Sequence, residues 1–314
     1  MRERAEAMVL ASFAADSHAL GAHWMYDMEE ISSRYGRVER LLPPAPESFH
    51  NGRTKGDLTH YGDQTLVLLR HLAQHDGFEV AVFAAEWREF MTSYDGYLDG
   101  ATRETLANSK AGHPITAAAS QSSELSAAAR IAPLAYLYRD ECDRLVVDSA
   151  AQAALTHGSP IVSATAAYLS RVCWIVLNGK TPQSALRATA ETTNAPEITE
   201  LIRSGLDSTQ LDTREAARVF GQGGDAKCAL PLAIHLIAKY EGSLEQALVE
   251  NVATGGDSAA RGMIVGMILG AFHGRDAIPD DWISELRAYR EISALLEDLE
   301  AIIQRGPGGA AKAV

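Results

Sequence analysis

Apolar residues recur at three- and four-residue spacing along almost the whole chain, often on an alanine-rich background, while alternating β-branched runs of strand type are scarce. The pattern predicts an all-α protein, with helices near 4–21, 65–75, 79–94, 115–137, 141–157, 160–178, 182–192, 196–205, 213–220, 226–240, 244–253, 258–273, 280–288 and 291–304. So many short helices suit a compact bundle. No stretch reads as a linker, so residues 1–305 are expected to form one domain. PPAPES, Asn51-Gly52 and Gly56 mark 41–61 as a long irregular loop, the kind of segment that often carries function. The closing RGPGGAAKAV has turn formers and nothing to bury, so 306–314 are expected to form a frayed tail. No repeat of solenoid period is present.

Charge narrows the partners. With 28 Lys+Arg against 41 Asp+Glu the formal net charge is −13, which repels phosphate backbones and argues against nucleic acid. An anionic ligand would need a local site. Cys142, Cys173 and Cys228 are too scattered for a disulfide framework or a zinc knuckle and read as thiols in a reducing compartment. The N-terminus lacks a secretory pattern, and the longest apolar run, Met263 to Phe272, is too short to span a bilayer. A cytoplasmic protein without a membrane partner is the expectation.

Two passages place a carboxylate where a strongly apolar helix begins: Tyr61-Gly62-Asp63-Gln64-Thr65 and Gly255-Gly256-Asp257-Ser258. Helix capping explains either one alone, since an N-cap Asp satisfies orphan amides and contributes about 1 kcal/mol. The functional alternative is that both helix N-termini face one cleft and hold a phosphate or hydrated cation, the double glycine permitting close approach. Gly262, Gly266 and Gly270 then form a flat stripe for another helix to lie on. His157, in Thr156-His157-Gly158, is either a satisfied structural histidine or a donor to a carboxylate or phosphate. Arg130, a lone cation in an apolar segment, forms either an internal salt bridge or a ligand contact. His71 and His75 share a helix face, but without a third ligand in the sequence zinc is not expected. Gly221-Gln222-Gly223-Gly224-Asp225 reads only as a turn entering a helix.

Taken in order, ADSHALGAHWMYD, THYGDQTLVLL, YDGYLDGATRETL, ARIAPLAYLY, THGSP and NVATGGDSAARGMIVGMILGAFHG resemble the ADP-ribosylglycohydrolase family over about residues 5–285. Within it they look closest to the J-crystallin-like branch. The resemblance implies an all-α fold and hydrolysis of a ribosyl glycosidic bond of an ADP-ribose-type substrate, usually with two Mg2+ ions. The family's Thr-Asp-Asp-Thr becomes Tyr61-Gly62-Asp63-Gln64, and its G-G-D-x-D-T becomes Gly255-Gly256-Asp257-Ser258-Ala259-Ala260, so one carboxylate survives in each. An early motif maps loosely onto Asp16 and Gly21, with Asp27 the acid nearest a glutamate that some members carry. Two divalent ions need more carboxylates than this, so no conventional two-Mg2+ centre is expected, and a single weakly held Mg2+ on Asp63 and Asp257 is what remains. The implied roles are Asp63 and Asp257 as catalytic and metal-binding residues. Asp16, Tyr61, Gly62, Arg130, His157, Gly255, Gly256 and Ser258 would contact substrate. The partner would be a small nucleotide or an ADP-ribosylated substrate. The alternative is a non-catalytic ADP-ribose-binding or crystallin-like structural protein.

Overall fold

A computed structural model describes residues 1–75, 77–114 and 117–305; the expected tail from 306 lies outside them. The described residues form helices α1 (Arg2–Ala19), α2 (Met28–Tyr35), α3 (His60–Gln74), α4 (Val80–Thr92), α5 (Gly100–Lys110), α6 (Ser126–Ala129), α7 (Ala132–Leu137), α8 (Cys142–Ala154) and α9 (Pro160–Leu177). There follow α10 (Pro182–Thr192), α11 (Pro196–Asp207), α12 (Thr213–Phe220), α13 (Ala226–Lys239), α14 (Leu244–Ala253), α15 (Ser258–His273), α16 (Asp280–Glu285) and α17 (Tyr289–Arg305). Among the described residues extended pairing is limited to two isolated bridges, Ser120 with His157 and Glu124 with Asp225.

Helices α1 and α15 pack against each other at the centre, α1 buried from Ala7 onward and α15 from Ser258 to Ala271. The glycine stripe explains how. A Cβ at Gly266 would lie 2.5 Å from the Ala11 carbonyl oxygen, and one at Gly270 would lie 2.5 Å from the Ala11 Cβ and 2.8 Å from the Ala7 carbonyl. Each helical glycine costs about 1 kcal/mol relative to alanine, and close packing of two backbones offsets that penalty. Helices α6, α9, α13 and α14 complete the shell around α15, while α3 packs between α4 and α17.

Three expectations change. The helix foreseen over 115–137 is broken: 118–125 run irregularly to α6, and α6 is separated from α7, which starts just before Pro133. Helices α2 and α5 were hidden because they bury little, Met28 and Ile31 in one and Ala101, Thr102 and Thr105 in the other, so neither shows an apolar period. Helix α9, not the 263–272 run, is the apolar helix long enough to cross a membrane, at 18 residues and mean hydropathy 1.5; here it packs on α8, α10 and α15.

Candidate active site around the start of helix α15

The double glycine before α15 lets three segments meet. Gly255 and Gly256 have φ of +67° and +68°, and a Cβ at Gly256 would lie 2.1 Å from the Gln222 carbonyl oxygen. The turn is bound on both sides: the Trp24 amide donates to the Gly256 carbonyl (2.9 Å), the Gly256 amide to Met25 (2.7 Å) and the Asp257 amide to Gln222 (2.9 Å). Trp24, at φ +64°, is the one non-glycine residue with positive φ among the described residues. A bulky side chain held there stores roughly 1–3 kcal/mol of strain, a feature concentrated at functional sites.

The 221–225 turn is therefore more than a helix entry, as the sequence reading had it. The Leu125 amide donates to the Gly224 carbonyl (2.7 Å) and the Ala226 amide to that of Ser123 (2.9 Å), which lays Glu124 beside it. Gly224 separates two acids: a Cβ there would lie 2.5 Å from Asp257 Oδ2 and 3.5 Å from Glu124 Cγ. Glu124 was missed because its irregular local sequence gives it no motif, and only this non-local strap brings it to Asp257.

Asp257 is the N-cap of α15, accepting from the Ala260 amide at 3.4 Å, and it also accepts from the Tyr61 hydroxyl at 3.3 Å. Burial raises its carboxyl, against the pull of Arg261. Glu124 is pushed up to about 7 by burial and then by Asp257 and Asp99. His23 Nδ1 lies 3.9 Å from Asp257 Oδ1, yet it accepts from the Ala259 amide. The proton of His23 therefore sits on Nε2, the ring is neutral, and the contact is no ion pair; burial accordingly lowers its pKa well below the usual range. The positive charge comes instead from the fully buried Arg261, held by Asn251, Thr254 and the Gly255 carbonyl, with Nη1 unpartnered.

Above this floor lies an aromatic and histidine wall. Trp24 packs near His23, Phe49, His50, His60 and Tyr97, with ring centroids 4.4 to 5.4 Å apart. His50 Nε2 and His60 Nδ1 are 3.1 Å apart, and His60 Nε2 lies 3.3 Å from Asp99 Oδ2 without hydrogen-bond alignment. A cleft of about 280 Å³ opens beside the wall, lined by Phe49, His50, Arg53 and Tyr97.

The other foreseen residues each take partners of their own. Asp16 is buried, accepts from the Thr59 amide (2.7 Å) and hydroxyl (2.5 Å), and is raised to about 7 chiefly by burial. Gly62 must lack a side chain because a Cβ would meet Asp16 Oδ2 at 2.3 Å. These two fasten the start of α3. Arg130 donates to Gln64 and to Thr156 Oγ1, two neutral acceptors and not a salt bridge, and burial lowers it to about 10. His157 has both ring nitrogens partnered, by Thr156 (2.9 Å) and Ser126 (3.2 Å), and is lowered to about 3 by burial. The Ser258 hydroxyl is buried without a partner at the foot of the Asp257 turn. Asp63 is not a cap: Thr59 caps α3, and Asp63 accepts 2.6 Å bonds from Arg53 and Tyr94 at the edge of a second cleft of about 340 Å³. Asp63 and Asp257 share no hydrogen-bond partner: Asp63 is tied to Arg53 and Tyr94, and Asp257 to Tyr61 and the Ala260 amide.

Nor does the donor set around Asp257 fit a pair of Mg2+ ions. Hard cations seek several oxygen ligands. Here the neutral imidazole of His23, the Tyr61 phenol and the resident Arg261 guanidinium surround Asp257, Glu124 holds its proton to about 7, and Asp16 is committed to Thr59 and Asp63 to Arg53.

The geometry defines an all-helical protein with a buried acid at the N-terminus of its central helix, facing a second acid across a glycine strap. This arrangement agrees with the comparisons: the ADP-ribosylglycohydrolase family profile matches residues 1–308, and the chain belongs to that family. Crystallin J1B of Tripedalia cystophora is 23% identical over 97% of this chain and 98% of its own. ADP-ribosylhydrolase ARH3 of Homo sapiens is 26% identical over 110 residues, 32% of this chain and 30% of its own. A solved structure entitled ADP-ribosylglycohydrolase-related protein complex shares the fold, with a TM-score of 0.76 at 19% identity over 96% of this chain and 98% of that one.

Proposed function

We propose that this chain hydrolyses a ribosyl glycosidic bond of an ADP-ribose-type substrate at the Asp257–Glu124 pair, with a degenerate metal site. The observation that carries the reading is the pair of acids on either side of Gly224, Asp257 raised by burial and Glu124 by burial and by the negative charge of its neighbours. Two carboxyls in unlike surroundings suit glycoside hydrolysis, one protonated and one ionised. Glu124, at about 7, holds a proton near neutral pH and donates it to the leaving group. Asp257, beside Arg261 and fixed by Tyr61, serves as the anion that steadies the oxocarbenium-like transition state and accepts a proton from the attacking water. Trp24 and Tyr97 offer faces on which a base or ribose stacks.

Turnover of ADP-ribosylated substrates, with Mg2+ and again with chelator, tests this. Turnover that survives chelation and disappears in Asp257→Asn and Glu124→Gln supports it; turnover strictly dependent on Mg2+ would return a single ion to the site. The second reading, a binding or crystallin-like structural protein, is favoured by the near-complete burial of Asp257, 2% exposed. ADP-ribose binding without turnover would select a binding module, and neither binding nor turnover a structural role.

A further inference from the structure

His71 and His75 stand one turn apart near the end of α3, and the sequence offered no third ligand. The fold supplies it. Glu86, on α4, reaches across the α3–α4 hairpin so that Oε2 lies 2.8 Å from His71 Nδ1 and Oε1 lies 2.9 Å from His75 Nε2. The three donor atoms fall within 4.8 Å of one another. We infer that His71, His75 and Glu86 form a binding site for a first-row transition ion such as Zn2+ or Co2+, independent of the function proposed for the Asp257–Glu124 pair.

The donor chemistry selects the ion. Two imidazoles and one carboxylate suit borderline metals and are poor ligands for Mg2+ or Ca2+. Zinc bonds to nitrogen and oxygen of about 2.0–2.2 Å place tetrahedral donors roughly 3.3 Å apart, so the present spacings need only small side-chain adjustments. His71 is fixed: its side chain is fully buried, and Phe78 and Phe83 pack on its ring. The other two ligands reach water, His75 with 38% and Glu86 with 34% of the side chain exposed, so an ion can enter and keep a water in the fourth position. Binding would pin α3 to α4 across the turn at Gly77, whose φ is +135°. The far end of this hairpin carries Asp63 and leads into Tyr94, so the ion would brace the helix pair that holds the Asp63–Arg53–Tyr94 cluster.

The test is a Co2+ titration of untagged, chelator-stripped protein, read by visible absorption and by thermal melting. The expected result is a ligand-field spectrum at one equivalent, competed by Zn2+ but not by Mg2+, with melting raised by roughly a few degrees at saturation. Loss of an outer-shell partner alone typically weakens metal sites 10- to 100-fold, so His75→Ala and Glu86→Gln should each weaken Co2+ by at least roughly that factor. Both substituted side chains are partly exposed, and the melting of each metal-free form checks folding. Absence of a spectrum in the wild type overturns the inference. So does binding that persists unchanged in the His75→Ala/Glu86→Gln double variant, which would place the ion elsewhere, for instance at the His50–His60 pair.

Discussion

Asp63 and Asp257 begin as near twins: each follows glycine, sits at the start of an apolar helix and corresponds to the surviving acid of a two-carboxylate motif. The fold treats them oppositely. Asp63 lies within the first turn of α3 and is held outward by Arg53 and Tyr94, with 17% of its side chain exposed. Asp257 caps α15, is buried, and faces Tyr61 and Glu124, while the strained Trp24 is bonded to the preceding Gly256. The difference lies in what non-local segments deliver: a cation and a phenol to one, a second acid and an aromatic wall to the other. Local motif sets where a carboxylate starts, and tertiary partners set whether it can do chemistry.

Turnover should separate the pair most strongly. Asp257→Asn keeps an oxygen for the cap and removes the charge, so kcat should fall roughly 10²- to 10⁴-fold while melting stays close to wild type. Steady-state kinetics on an ADP-ribosylated substrate read this, and an unchanged kcat would reduce Asp257 to a cap.

The glycines preceding the two acids differ as well. At Gly256 an alanine must hold φ near +68° with its Cβ 2.1 Å from the Gln222 backbone oxygen, which cannot move without opening the strap. Strain of roughly 1–3 kcal/mol plus the clash should make Gly256→Ala the more damaging variant in denaturant unfolding, by about 3 kcal/mol or more. Gly62→Ala meets the Asp16 side chain instead, and a loss of about 1–3 kcal/mol is expected. Equal losses would mean the α15 turn is softer than its hydrogen bonds imply.

How much of this was legible in the sequence follows from the same contrast. Helix α15, its cap Asp257 and its glycine stripe could be read because capping, periodicity and small-residue spacing are local signals. The breaks around α6 could not, since Ala127 to Leu137 is apolar apart from Arg130, and the geometry is set by Arg130 reaching Gln64 and Thr156. Asp63 read as a cap because Thr59, the residue that accepts from the Tyr61 amide, lies two residues before an aromatic-glycine pair that looks like loop. Glu124 and Glu86 carried no signal of their own, because each gains its role only from a partner on another element.

Proton linkage gives a finer test. Glu124 rises from an ordinary 4.5 to about 7 in the folded chain. Between these values the unfolded state sheds its proton first, so this residue subtracts stability as pH rises through the window and nothing further above about 7. An anionic diphosphate should correspondingly bind more tightly below pH 7 than above it, because ionised Glu124 repels it. Calorimetric titration of ADP-ribose across this range should show a weakening that Glu124→Gln abolishes. The buried histidines contribute the opposite slope: His50 and His157, lowered from 6.5 to about 3, subtract stability as pH falls below 6.5. The Glu124→Gln difference against wild type isolates the carboxyl from that background.

The smallest effect should come from Asp63. Its ion pair with Arg53 is partly open to water, 17% and 22% exposed, and such pairs contribute little once solvent screens them. Asp63→Asn retains an acceptor for Tyr94 and leaves Arg53 able to hydrate, so a loss of about 1 kcal/mol or less is expected in thermal or denaturant unfolding. The stabilisation by ADP-ribose should survive, because no hydrogen bond links this carboxylate to the Asp257–Glu124 pair. A variant that melts like wild type but no longer responds to ADP-ribose would contradict this. It would mean that the α3 and α15 termini serve one ligand through a rearrangement releasing Asp63 from Arg53 and Tyr94, and the division between the two regions would hold only for the ligand-free chain.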